Sequence, residues 1–171
     1  RSDAIDVLQI DVVWPGLLDK HLLDLKPHAK GIEHDHFGGV VANNTVNGRL
    51  VAMPWFMDAG LLFYRRDLLA KYDLRPPKTW AELQAAARKV QEIERAAGNR
   101  AMWGYVWQGR GYEGLTCNVL EWVVSHGGGS FVDQGGTSTV RNDRAARAFA
   151  MAASFIGSIS PPQVLDYGEE E

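Results

Sequence analysis

Residues 46–67 constrain this chain most. The stretch opens on the turn signal Asn47-Gly48, runs through the apolar Leu50-Val51-Ala52-Met53, sets Pro54, Trp55, Phe56 and Asp58 close together, and continues as Leu61-Leu62-Phe63-Tyr64. Such a pattern predicts two strands joined by a chemically loaded junction. A carboxylate among aromatics makes a poor core, because burying it without partners is costly. The same residues suit the wall of a cleft, so Trp55, Phe56 and Asp58 are candidate ligand contacts.

On either side of this stretch the chain alternates strand-like and helix-like patterns. Residues 4–13 form a mostly apolar run with Asp6 and Asp11 as its charges, the pattern of a strand buried on both faces. Asp11 falls near its carboxyl end and Trp14 just beyond. Ligands of open α/β sheets gather at that edge, so both are candidates. Pro15 suits the first turn of a helix through Leu17, Leu18, His21, Leu22 and Leu25, which Pro27 is expected to stop. Glu33-His34-Asp35-His36 lies in a polar loop at 30–37 and reads as solvated, since adjacent side chains rarely converge on one ion. A short helix is expected over 37–46, ending at Asn43-Asn44. Strands are expected at 49–53 and 59–64, and Asp67 as the N-cap of a helix over 68–72.

In the second half, Thr79-Trp80-Ala81-Glu82 has the form of a capping box. Leu83, Ala86, Ala87, Val90, Ile93 and Ala97 then recur at helical spacing until Gly98, and Trp80 reads as packing. Residues 101–108 alternate Trp103, Tyr105 and Trp107 with Gly104, Val106 and Gln108, the period of a strand. A helix is expected from Tyr112-Glu113-Gly114 through Trp122 to Gly127-Gly128-Gly129, with Cys117 on its buried face. Trp107, Gln108, Tyr112 and Glu113 are candidates by the carboxyl-end argument, and Glu121 and Trp122 are weaker ones. A hairpin around Asp133-Gln134-Gly135-Gly136 should lead to a helix opened by Asn142-Asp143. The acidic end from Asp166 reads as the start of another helix.

Composition excludes several classes of function. With 171 residues, a net charge of −3 and scattered basic side chains, the chain has no electrostatic footprint for nucleic acid. One cysteine rules out an internal disulfide and gives no metal motif. There is no glycine-rich phosphate loop and no nucleophile elbow, and no cofactor is implied. Six tryptophans are a heavy load, and tryptophan suits flat ligands as well as cores.

A site for a neutral sugar needs flat apolar faces to stack on the ring and planar polar groups to take its hydroxyls. The chain offers that pairing three times: Asp11 with Trp14, Asp58 with Trp55 and Phe56, and Glu113 with Trp107, Gln108 and Tyr112. The runs Asn-Gly-Arg-Leu-Val-Ala-Met-Pro-Trp at 47–55, Asp-Ala-Gly-Leu-Leu-Phe-Tyr-Arg-Arg-Asp-Leu-Leu at 58–69 and Pro-Pro-Lys-Thr-Trp-Ala-Glu-Leu at 76–83 resemble the first lobe-crossing segment of bacterial ABC-importer solute-binding proteins, in the branch that takes trehalose and maltose. The resemblance covers nearly the whole chain. It implies an α/β fold of the periplasmic-binding-protein type II kind, each lobe a sheet flanked by helices, that closes on a sugar by hinge motion. It also implies a sugar and membrane permease subunits as partners, and a periplasmic or extracytoplasmic location. Sugar contacts would fall on Asp11, Trp14, Phe56, Asp58 and Glu113.

The same resemblance implies a piece of the whole, since members are more than twice as long. Residues 1–57 would belong to the amino-terminal lobe with its first hinge crossing, and 58–171 to the core of the carboxyl-terminal lobe. Half a clamp buries little of its ligand, so weak or undetectable binding is expected of this chain alone, together with self-association through exposed apolar surface. Two other classes remain open on the residues. One is a glycoside hydrolase pairing Asp11 or Asp58 with Glu113. The other is an interaction module in which Asp58 affects only stability.

Overall fold

The computed structural model describes residues 5–133 and 135–170, which form two compact units, Arg1–Ala59 and Gly60–Glu171. Residues 1–4, of which Ala4 opens the expected first strand, Gln134 of the expected hairpin turn and Glu171 lie outside the described residues.

The first unit is built around a small hairpin. Strands β1 (Thr45–Val46) and β2 (Arg49–Leu50) pair antiparallel with Thr45 opposite Leu50 and Val46 opposite Arg49. Asn47 and Gly48 both take positive φ, 52° and 79°, as a two-residue turn matched to strand twist requires. Three short helices surround it: α1 (Pro15–Leu18), α2 (Lys26–Ala29) and α3 (Gly38–Asn43).

The long helix expected from Pro15 to Leu25 is broken, and its termini show why. Leu22 turns extended after a 3-10 turn at Asp19–His21, and Asp24 Oδ1 accepts from the backbone N–H groups of both Lys26 and Leu50. A short carboxylate that satisfies two backbone donors competes with helix continuation. Pro27 therefore sits in the first turn of α2, where its missing N–H is harmless, and does not end a helix. Arg49 donates to the carbonyls of Asp19 (3.1 Å) and Leu22 (2.6 Å), and Leu25 N–H to that of Leu50 (2.7 Å). These bonds lock the hairpin, and Ala29, Leu50 and Val51 are buried at its base.

The second unit is helical: α4 (Arg66–Lys71), α5 (Trp80–Ala96), α6 (Glu113–Ser125) and α7 (Asp143–Phe155). Helix α5 begins as its sequence predicts. Thr79 Oγ1 accepts from Glu82 N–H, while Glu82 reaches back one residue further than expected, to Lys78 N–H. Asn142 caps α7 by accepting from Arg144 and Ala145, and its amide donates to the carbonyls of Gly128 and Thr139. Helix α4 departs from expectation: Asp67 lies inside its first turn, and the N-cap is Arg65.

The core sits where α6 and α7 pack together. Trp107, Trp122, Val123, Ala145, Ala148, Ala152 and Val164 form its main cluster, with Leu83, Ala87, Phe155 and Ile159 beside it. Trp122 takes Trp107 edge-on at 4.9 Å and Trp80 at 6.4 Å, an arrangement that matches ring edges to ring faces. Trp80 N–H also donates to Ser125 Oγ (2.7 Å), so Trp80 is a packing residue.

Of the expected strands, 49–53 forms only at Arg49–Leu50, as β2, and three others are not formed. Residues 5–13, 59–64 and 101–108 join no ladder among the described residues, whose one sheet is β1–β2. For 101–108 the reason is visible. The N–H groups of Gly104 and Tyr105 are taken by Ile159 O, and Gly104 N–H also by Gln91 Oε1, so side chain and loop replace a neighbouring strand. The inward set of the alternation survives, with Trp107 buried and Val106 exposed. The expected hairpin at 130–141 reduces to a single bridge, Val132 with Ser138. Cys117 is exposed on α6, because Gly114, Trp122 and Val123 define the buried face. No helix starts among residues 166–170.

Candidate functional site

The first group of candidates lies in the first unit. Asp11 opens a tight turn: its carbonyl accepts from Trp14 N–H (3.0 Å) and its Oδ1 from Val13 N–H (3.1 Å). Asn43 at the end of α3 donates to Val12 O (2.8 Å) and ties the turn down. Trp14 then N-caps α1 and is 45% exposed. A carboxylate and an indole face are thus held on one turn, both open to solvent. The chain from 52 onward carries Trp55 (85% exposed), Phe56 (61%) and, after Met57, the exposed Asp58.

The second group lies at the start of α6. Tyr112 is its N-cap and Glu113 its first residue, exposed. Gly114 shows what converges there: a Cβ at that position would strike Gln108 Oε1 and the Tyr112 hydroxyl. Both polar ends therefore lie over the first turn of α6, and only glycine leaves them room. Beside them is an open concavity of about 490 Å³ lined by Arg110, Gly111, Tyr112, Gly168, Glu169 and Glu170. Arg110 N–H donates to Tyr167 O, fixing that wall. Trp107 stands apart from this group, since its ring packs on Trp122 and only 8% of it is exposed.

Sequence reasoning did not single out Gly114, Arg110 or Glu169. Gly114, directly after the Tyr112-Glu113 pair, is the signal that could have been read. Glu121 lies against the Cα of Gly60, occupying the space a Cβ would fill.

The titratable groups with displaced pKa values sit elsewhere. Asp67 is pulled down to about 2 by its hydrogen bonds to Arg65, and Glu94 is lowered by Lys71 and Tyr72. Burial pushes Tyr105 up to about 12, with the Glu121 charge adding to it. Glu33 and His34 stand 3.8 Å apart with the imidazole 83% exposed, and the described residues hold no group of three metal-ligating side chains.

The chain matches the family described as bacterial extracellular solute-binding protein over residues 2–168. A probable ABC transporter-binding protein of Deinococcus radiodurans is 51% identical over 173 residues, covering 100% of this chain and 41% of that protein. Among solved structures, maltose-bound T. maritima MalE3 superposes with a TM-score of 0.80 at 39% identity, over 93% of this chain and 40% of that one. A solute-binding protein of Agrobacterium radiobacter K84 in complex with ribitol superposes at a TM-score of 0.69 over 92% of this chain and 40% of that one, and at 21% identity supports the fold alone.

The chain belongs to the bacterial extracellular solute-binding protein family, and its fold is that of the type II periplasmic binding proteins. It spans about two fifths of the length of these relatives. The family binds solutes and does not transform them, which sets aside the glycoside hydrolase. Its name implies an extracytoplasmic location, and no helix among the described residues is long and apolar enough to cross a membrane.

Proposed function

We propose that this chain is part of the receptor of an ABC importer that takes a neutral disaccharide, maltose or trehalose, between two lobes and delivers it to membrane permease subunits in the periplasm or its equivalent. Residues 1–57 contribute to the amino-terminal lobe and its first hinge crossing, and 58–171 to the carboxyl-terminal lobe. The likeness to maltose-bound MalE3 along nearly the whole chain is the observation that carries this reading.

Within the site, Trp14, Trp55 and Phe56 offer exposed aromatic faces for stacking on sugar rings. Asp11 and Asp58 accept hydroxyl donors, each carboxylate able to take two at once. Gln108, Tyr112 and Glu113 supply the polar face of the other lobe, and Trp107 backs them from the core. A clamp draws its affinity from burying the ligand between both jaws, so this chain alone binds weakly or not at all. Calorimetry with maltose, trehalose, sucrose and ribitol on the full-length Deinococcus radiodurans relative tests the substrate. Tight binding of a disaccharide, lost on replacing the residue matching Asp58 by alanine, is expected. Binding of ribitol alone would contradict the disaccharide reading.

A further inference from the structure

Gly60 is a glycine that its backbone does not demand. Unlike Gly48 or Gly98 it does not take a positive φ, so any residue could adopt its conformation. What requires glycine there is space. A Cβ at position 60 would overlap Oε1 and Cδ of Glu121, so a carboxylate from α6 fills the place of the missing side chain.

Glu121 is firmly held at its backbone end. It precedes Trp122 and Val123, which are 2% and 0% exposed, and the Trp122 ring packs edge-on with both Trp107 and Trp80. The segment it touches has no comparable anchor. Residues 52–64 run without a turn or bend, and none of their backbone groups makes a backbone–backbone hydrogen bond among the described residues. Exposure alternates along the run, with Leu61 and Phe63 at 72% and 88% and Leu62 at 42%. In an extended chain Gly60 and Leu62 share a face, and that face is the one α6 covers.

We propose that Glu121 is a positioning residue: seated in the gap that Gly60 leaves, its carboxylate fixes where the crossing segment lies on α6 and thereby governs sugar affinity through Asp58. Asp58 is two residues back in the same extended run, within about 7 Å of Gly60 by chain length alone. Holding Gly60 therefore restricts where the Asp58 carboxylate can be. The link to affinity rests on the sugar-receptor reading above, whereas the seat itself does not. Glu121 makes no ion pair among the described residues, so its hold on Gly60 is one of contact and Cα–H···O attraction, which the isosteric amide of glutamine reproduces. Alanine at position 60 must expel the carboxylate, the far end of a flexible side chain, and so acts as truncation of Glu121 does. Replacing glycine by alanine ordinarily stiffens a chain. Here it loosens one.

A nitroxide on Leu61→Cys in a Cys117→Ala background reads the seat in this 171-residue chain. Its spectrum should be restrained in the parent and in Glu121→Gln. It should be mobile in Glu121→Ala, in Gly60→Ala and, to the same degree, in the two combined, because both substitutions remove one contact. Equal mobility throughout, or a double variant looser than either single one, would overturn the inference. Calorimetry on the full-length Deinococcus radiodurans relative, set to glycine and glutamate at the positions matching 60 and 121, reads the consequence. Glu121→Ala and Gly60→Ala should each weaken maltose binding about tenfold, the double variant no further, with Glu121→Gln close to the parent and the melting temperature unchanged in all. Losses that multiply, or single variants that bind as the parent does, would contradict the positioning role. A parent that binds no disaccharide overturns the receptor reading and the affinity link with it, and the spin label then decides the seat alone.

Discussion

Gly104 shows how a single position fixes the second unit. A Cβ there would strike the carbonyl oxygen and carbon of Ala87 on α5, with the Ala87 Cβ only 2.8 Å away, so glycine is what lets the segment lie flat on the helix. Gly104→Ala should destabilise the protein by about 1–3 kcal/mol, read as a lower urea midpoint. Gln91, 5% exposed, accepts from Gly104 N–H and donates to Ser158 O (2.7 Å). Replacing it by methionine strands Ser158 O, while Gly104 N–H keeps its bond to Ile159 O, and should cost about 1–3 kcal/mol. Neither role was legible in the sequence, where Gly104 passes for one member of a strand alternation and Gln91 for a solvent position on an amphipathic helix. Both depend on what lies opposite in space. Tyr105 adds a pH effect. Its folded-state pKa of about 12 stands above the ordinary value of 10.0, so the folded state keeps a proton that the unfolded chain loses. The stabilisation is complete below pH 10 and fades as the pH rises toward 12. Alkaline melts should show that decline in the native chain and a shallower one in Tyr105→Phe.

The elements divide by where their hydrogen bonds come from. Helices α5, α6 and α7 are announced by local signals: Thr79 with Glu82, glycines beyond the ends, and Asn142 as a cap. Helical bonding is internal, so sequence periodicity and caps suffice to place it. Asn142→Ala removes an N-cap, and also the amide donor to Gly128 O, and should lower stability by about 1–2 kcal/mol, checked by thermal melting. Strands need neighbours that the local sequence does not specify, which is why 59–64 and 101–108 have the period of strands without their ladders. The broken helix after Pro15 is the intermediate case. Its apolar spacing was legible, but Asp24, the side chain that interrupts it, is bound to Leu50 far along the chain. On α4 the Arg65–Asp67 pair holds the carboxylate near pKa 2. Its support of the first turn should be present above about pH 4, the ordinary carboxylate value, and disappear as the pH falls toward 2.

For the whole molecule, the family could be read from the 47–83 runs, Asp11 and Trp14 are held by one turn, and Gln108 and Tyr112 meet over Gly114. What the sequence could not supply is the convergence of such groups on one ligand, because that depends on elements distant along the chain and on the closure of two lobes. The central claim is that the sugar site requires both jaws. Tryptophan fluorescence under titration with maltose and trehalose tests it most directly, run in parallel on this 171-residue chain and on the full-length Deinococcus radiodurans relative. A saturable response from the longer protein, with none from this chain below about 1 mM sugar, is predicted. Saturation of this chain at micromolar sugar, or silence from both proteins, would contradict it.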